Sequence, residues 1–357
     1  MPASVLSHYG LDERNCSVTP FGNGLINHTW KIISGEKEFL LQRINQLIFL
    51  HPPDIMSNLK LLDEYFKSHF PDYLFVAPLN TTAGQNFVKE EGENYYRLFQ
   101  FVTNSYTCNT VSEPSLAYEA SRQFGRFTRL LTAFDPSRLK ISLPDFHNLS
   151  LRQRQFESAL LNGNKKRIEE SAQTIVFLKD QAGIVNEFEK IEANDSLQVR
   201  VIHHDAKINN VLFDRRNQAG LCLVDLDTVM PGYYISDVGD MLRTYISPVD
   251  EEEPDFSLIR IREEYFHEIV RGYLGEMNSQ LTEMEKKYFT YAGKFAIYMQ
   301  ALRFLTDYIN DDIYYGVKYE GQNLTRANNQ STLLKRFIET ENRLQEILES
   351  FLKNNSI

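Results

Sequence analysis

Apolar and polar positions alternate with a period of two through much of the first hundred residues. A helical period governs most of the remaining chain. From Cys16 to Asn45 the chain reads as strand, glycine turn, strand and strand. Val18 to Phe21 leads into Gly22-Asn23-Gly24. Thr29-Trp30-Lys31-Ile32-Ile33 comes next, then a turn at Ser34-Gly35-Glu36 and the run Phe39-Leu40-Leu41-Gln42-Arg43-Ile44. Two β runs joined by glycine turns predict a hairpin. Leu59, Leu62, Tyr65 and Phe66 predict a helix over Ile55 to Phe70. Phe75-Val76-Ala77-Pro78, Asn86-Phe87-Val88 and Tyr95 to Val102 predict further strands.

After Thr103 the pattern changes. Ala117, Phe124, Phe127 and Leu131 share one side of a predicted helix over Leu116 to Leu131. Helices are also expected over Leu151–Leu161, Lys165–Phe188, Arg262–Leu274, Glu283–Leu305 and Ser331–Leu352. The polar connector Val102 to Tyr106 separates the two regimes. The pattern therefore predicts an α+β chain: a small antiparallel β-rich lobe over residues 1–103 and a larger, mainly helical lobe over 104–357.

Composition narrows the function. The 357 residues include 42% hydrophobic positions, enough for a sizeable core, and carry a net charge of −10. That balance argues against a general nucleic-acid binder, which shows a basic face. Cys16, Cys108 and Cys222 are odd in number and far apart, giving neither a metal motif nor a disulfide framework. The opening MPASVLSHYG lacks the basic and apolar regions of a signal peptide. No run approaches the roughly 18 apolar residues of a membrane helix. A soluble, cytoplasmic protein without membrane or nucleic-acid partners is expected.

The candidate chemistry lies in His203-His204-Asp205-Ala206-Lys207-Ile208-Asn209-Asn210, followed by Leu223-Val224-Asp225-Leu226-Asp227. Phosphoryl transfer to a hydroxyl requires a carboxylate that orients the hydroxyl and accepts its proton. It also requires oxygen donors that hold Mg²⁺ on the nucleotide phosphates. Asp205 is the candidate base, and Lys207 would stabilise charge on the transferring group. Asn210 and Asp225 offer the hard oxygens a hard cation prefers. Asp227 is either a further ligand or a support for one. One of His203 and His204 is expected to pack and hydrogen-bond within the loop.

The turn holding Gly22, Asn23, Gly24 and Asn27 is the candidate phosphate cover, since glycines admit backbone N–H groups close to phosphate oxygens. The lysine expected on the third strand is absent. Gln42 and Arg43 stand there instead, on opposite faces of a regular strand. Either the Gln42 amide contacts phosphate or a bulge turns Arg43 inward. The charge partner expected in the following helix is Glu64, with Asp63 second.

These residues, together with Leu41-Gln42-Arg43-Ile44-Asn45, Asp237-Val238-Gly239-Asp240-Met241-Leu242-Arg243 and Arg303-Phe304-Leu305-Thr306-Asp307-Tyr308, resemble the aminoglycoside phosphotransferase and choline kinase family. Within it the resemblance is to the N-acetylhexosamine 1-kinase group. It implies a two-lobed, protein-kinase-like fold and a small-molecule kinase that uses ATP and Mg²⁺. It further implies that Asp205 is the base, that Asn210 and Asp225 hold Mg²⁺, and that His28 and Arg303 reach the sugar.

From the residues alone, Arg303 and Asp307 read as an i,i+4 helix pair. Tyr308, Tyr314, Tyr315 and Tyr319 read either as packing or as a sugar wall. Choline, aminoglycoside, homoserine and methylthioribose kinases share the catalytic loop and remain rival readings, as does a non-catalytic binding module. A cationic acceptor needs an acidic, often aromatic pocket. Asp250-Glu251-Glu252-Glu253, with Pro254 behind it, reads as a solvated turn rather than such a pocket.

Overall fold

In the computed structural model, which describes residues 4–22, 27–90 and 94–355, the alternating segments form one antiparallel sheet. The chain divides into two compact units. The first comprises Met1–Tyr106, Ala133–Pro144 and Leu212–Pro231, the second Thr107–Thr132, Asp145–Val211 and Gly232–Ile357.

The first unit opens with the short helix α1 (Ser4–His8) and strands β1 (Cys16–Pro20), β2 (His28–Ser34) and β3 (Lys37–Arg43). Helix α2 (Pro52–His69), β4 (Val88–Lys89) and β5 (Tyr95–Gln100) follow, giving the sheet order β1-β2-β3-β5-β4. Phe39 and Leu41 of β3 and Tyr96 and Leu98 of β5 face one side. They pack there with Val5, Leu6, Ile32 and Val88. The register of β3 is unbroken against both neighbours, pairing Gln42 with Arg97 and Arg43 with Tyr96. The bulge that would bring Arg43 to the face of Gln42 is therefore not made; Arg43 stays on the core face with Tyr96.

Helix α2 begins at Pro52, where a fixed φ suits the first turn, and buries Ile55, Leu59, Leu62 and Phe66 at helical spacing. The strand expected over Phe75–Pro78 is only a single bridge, Pro78 to Phe99. Proline has no N–H to extend a ladder. The connector contributes β6 (Ser105–Tyr106), which pairs with Val211–Asp214. That strand continues into the hairpin partner Gly220–Leu223.

The second unit is helical: α3 (Pro114–Leu130), α4 (Leu149–Asn162), α5 (Lys165–Glu170), α6 (Ala172–Asp180), α7 (Gly183–Ala193), α8 (Ile235–Tyr245), α9 (Glu263–Met277), α10 (Glu283–Lys287), α11 (Phe289–Ile309) and α12 (Gln322–Asn354). Helix α11 is buried on nearly every side and forms the core of the unit. Helices α3 and α9 lie close, since a Cβ at Gly125 would approach the Tyr273 carbonyl oxygen to 2.9 Å.

The structure departs from the periodicity in three places. The helix expected over Lys165–Phe188 is three helices, the first break falling where the Ser171 hydroxyl donates to the Arg167 carbonyl (2.7 Å). The helix expected over Glu283–Leu305 breaks at Tyr288. Helix α12 starts at Gln322, nine residues before the expected Ser331, after Gly321 at φ +81°. Its first turns bury polar side chains, Gln322, Asn323, Asn329 and Gln330, and carry no apolar period to read.

The acidic run is also not the solvated turn expected. Glu251 to Glu253 are half-buried. Glu251 pairs with the buried Arg243 (2.7 Å), and Glu252 pairs with Arg326. Buried guanidinium groups draw these carboxylates inward.

Candidate active site

The strand Arg200–Ile202 delivers the loop 203–210. Arg200 is anchored by Glu285, which also accepts the N–H groups of Gln198 (3.0 Å) and Thr282 (2.8 Å). At the loop's first bend, His204 takes a left-handed backbone (φ +67°), a conformation disfavoured for a residue with a Cβ. The surroundings fix it there. The N–H groups of His203 and His204 both donate to the buried Asp237 carboxylate, at 3.1 and 2.7 Å. The His204 ring lies 3.3 Å from Nδ1 of His147, and a Cβ on Gly232 would collide with it. His203 meets Phe124 edge-on, and its Nδ1 accepts the Asp205 N–H at 3.3 Å. Both histidines are thus part of the loop's frame.

That frame brings three of the expected residues together. The Asn210 amide nitrogen donates to the Asp205 carbonyl and to its carboxylate, both at 2.8 Å. The Lys207 ammonium lies 3.2 Å from Asp205 Oδ1. Burial penalises the Asp205 charge, but Lys207, His203 and the Asn210 hydrogen bond outweigh it and hold the carboxyl below its ordinary range. Asp205 in turn pushes the Lys207 ammonium well above its usual value. At neutral pH the loop therefore presents a carboxylate beside an ammonium. Tyr245 closes the frame by donating to the Ala206 carbonyl at 2.7 Å.

Asp237 behaves oppositely. Burial raises its carboxyl to about 7 despite the two N–H donors. Asp237→Asn keeps the shape but turns an N–H donor toward a backbone N–H. The expected result is a loss of about 1–3 kcal/mol in stability, read by urea denaturation, with a matching fall in kcat.

In the first unit, Asp225 is exposed and left-handed (φ +57°) at the end of the Gly220–Leu223 strand. Such strain in a non-glycine residue persists only where surrounding contacts impose it. Asp227 is buried and engaged by its neighbours. It is 2% exposed, pairs with Arg97 (2.5 Å) and accepts from Asn27 (2.8 Å). Gln42 accepts twice from Arg97 (3.1 and 2.9 Å) and donates to Thr29 (3.2 Å). The expected partnership of Glu64 with this strand is not formed: Glu64 is exposed on α2, where Asp63 pairs with Lys67. Gln42 is partnered by Arg97, directly across from it on β5. Gly22 takes φ +74°, which only glycine adopts freely, while Asn23 and Gly24 lie outside the described residues. His28 is exposed at the start of β2 and stacks on Trp30.

In the second unit, Arg303 does not pair with Asp307. Asp307 instead accepts the N–H groups of Tyr314 (2.7 Å) and Tyr315 (2.9 Å) and an amide hydrogen of Asn323 (3.0 Å). The Arg303 guanidinium lies over the rings of Phe146, Tyr315 and Tyr314, at 5.5, 5.5 and 5.9 Å. It donates to Gln300 at 3.3 Å, and no ion pair to it is made among the described residues. Of the other expected tyrosines, Tyr308 donates to Glu170 and Tyr319 is half-exposed.

The donor chemistry suits Mg²⁺. The Asn210 amide nitrogen donates to Asp205, so the hard donor of that side chain is its oxygen, and in the first unit Asp225 is an exposed carboxylate, each taken by itself a donor type that Mg²⁺ accepts. Among the described residues no three His, Cys, Asp or Glu side chains gather as a closed metal cage. Magnesium held on phosphates needs only one or two carboxylates. Sequence reasoning missed Arg97, Asp237 as the loop's anchor and Glu285. The one available signal was a charged residue breaking the apolar run Tyr95 to Phe99.

An antiparallel sheet followed by helices and this loop make a kinase-like phosphotransferase fold. Residues 17–277 match the model of the phosphotransferase enzyme family, which includes the aminoglycoside phosphotransferases, and the chain belongs to that family. A microcompartment-associated aminopropanol kinase has a similar fold, at a TM-score of 0.68, 17% identity and coverage of 94% of this chain and 96% of that one. A spectinomycin phosphotransferase bound to ADP and spectinomycin is similar at 0.60 and 13%, over 94% and 95%. Choline kinase from Cryptosporidium parvum is similar at 0.55 and 14%, over 96% and 94%. Among the described residues no helix is long and apolar enough to cross a membrane.

Proposed function

We propose that the protein is an ATP- and Mg²⁺-dependent kinase that phosphorylates the anomeric hydroxyl of an N-acetylhexosamine. The observation that carries the reaction class is the joining of Asp205, Lys207 and Asn210 in one braced loop. Asp205 orients the sugar hydroxyl and takes its proton as the oxygen bonds to the γ-phosphorus and the bond to the ADP oxygen breaks. Its low basicity is no obstacle, because positioning and electrostatics dominate this transfer. Lys207 meets the charge of the moving phosphoryl group. Asn210 and Asp225 hold Mg²⁺, which when bound neutralises phosphate charge. In this reading the lobe 1–103 takes the nucleotide, and Gly22, Asn23, Gly24, Asn27 and Gln42 are the residues assigned to it. The lobe 104–357 carries the acceptor site.

The acceptor assignment rests on Arg303, a half-buried cation ringed by aromatic groups. Aminopropanol and choline, the acceptors named for two structural relatives, are cations and require a carboxylate or bare aromatic faces. Asp240 and Glu251, the carboxylates paired with Arg243, are already engaged. A neutral polyol fits a guanidinium donor and aromatic walls better. His28 is assigned a sugar contact by the same reading.

The test is ADP release with ATP and Mg²⁺ over N-acetylglucosamine, N-acetylgalactosamine, glucose, galactose, choline, homoserine and an aminoglycoside, with phosphorus NMR of the product. Turnover on the N-acetylhexosamines with a 1-phosphate resonance is expected. Arg303→Met should then raise the sugar KM about 10–100-fold, the loss of a charge-assisted hydrogen bond, and leave the ATP KM unchanged. Turnover on choline alone would overturn the acceptor assignment.

A further inference from the structure

One carboxylate fastens several segments of the first unit. Asp227 binds Arg97 through two contacts, at 2.5 and 2.9 Å, and Asn27 through one at 2.8 Å. Asn27 also accepts the Asn45 N–H at 3.0 Å, just beyond β3. The Asp227 carbonyl accepts the Ser142 hydroxyl at 2.8 Å. Asn58, buried on α2, donates to the Val229 carbonyl (3.3 Å), so the helix too is sewn to this loop. Two residues before Asp227 stands Asp225, left-handed and exposed.

We propose that the buried pair Arg97–Asp227, braced by Gln42, is a positioning clamp that fixes Asp225 for the metal-bound nucleotide. It takes the place of the strand lysine and helix glutamate that Gln42 and the exposed Glu64 do not supply. This rests on the reading of Asp225 as a magnesium ligand. The register makes the substitution possible: Gln42 and Arg97 are directly opposed on β3 and β5, so both side chains project from the same face of the sheet. A lysine offers a point charge, whereas the guanidinium fork serves Gln42 and Asp227 together. At 1% exposure, with its donors directed at those two residues, Arg97 acts through the loop and not on the phosphates. The clamp is made within the sheet and the segment that carries Asp225, with no contribution from Glu64 of α2.

The test is the double variant Arg97→Met with Asp227→Asn. It removes the ion pair, yet the introduced amide oxygen still accepts from Asn27, and no unpaired buried charge is left. Titration calorimetry with ATP is run in Mg²⁺ and again in EDTA. A folded variant whose Mg²⁺-ATP affinity falls about 10–100-fold while its metal-free ATP affinity holds is expected, the size of effect seen when groups supporting a metal ligand are removed. Unchanged Mg²⁺-ATP affinity, or an equal loss in both titrations, overturns the clamp. If the wild-type protein itself binds ATP no better with Mg²⁺, the metal reading fails, and the clamp proposed to serve it falls with it. Should the double variant not fold, Arg97→Lys is put through the same pair of titrations: a loss confined to Mg²⁺-ATP supports the clamp, and any other result overturns it.

Discussion

Asp205→Asn is expected to lower kcat by about 10²–10⁴-fold, the usual worth of a positioned proton acceptor. The substitution keeps the size of the side chain, and the Asn210 amide retains an oxygen to bind, so the loop's shape should survive. What disappears is the site that takes the hydroxyl proton and the charge that holds Lys207. Nucleotide affinity, measured by calorimetry with Mg²⁺ and ATP, should stay within about twofold, because the lost interaction belongs to the reacting hydroxyl. Simultaneous loss of nucleotide binding would assign Asp205 to the nucleotide instead. The pH profile offers a second check. With the Asp205 carboxyl held below its ordinary range, the charged form persists as pH falls. The acid limb of kcat/KM should therefore lie below the normal carboxylate region in the wild type and vanish in the variant.

Glu285→Ala should produce the largest loss of stability, about 3–5 kcal/mol, because it strands a buried cation. Glu285 is fully buried, and its carboxylate satisfies Arg200, Gln198 and the first turn of α10 at once. Burial opposes its ionisation, but Arg200 and two backbone N–H groups overcome that and keep the carboxyl below its ordinary value. A depressed folded-state pKa contributes stability above the unfolded-state value and loses it as pH falls through the folded one. The difference in urea stability between wild type and variant should therefore shrink on acidification. Glu285→Gln, which can still accept from Arg200, should recover part of the loss. A variant as stable as wild type would show that the strand entering the catalytic loop is held by packing alone.

How much was legible depends on the distance over which each feature is decided. The catalytic loop was readable because Asp205, Lys207 and Asn210 lie within six residues and meet through local turns. Strands β1 to β3 and helix α2 were readable because burying one face imposes a period of two or 3.6. The start of α12 was not, because its buried face there is amide rather than apolar. The separate helices α5 to α7 were not, because Ser171 ends a turn through its own side chain.

The sequence by itself determined the order of elements, the kind of chemistry and the residues in the loop, all properties of neighbours along the chain. Tertiary structure alone decided which charges far apart in the chain meet. Arg97 stands 130 residues from Asp227, and Arg200 stands 85 from Glu285, so each pairing depends on strand register and helix docking. The same holds for Arg303, whose neighbour four residues on bonds the backbone of Tyr314 and Tyr315 and leaves the arginine to the rings around it. A charged side chain of given sequence position has many partners within reach, and only burial, by making an unpaired charge costly, selects one.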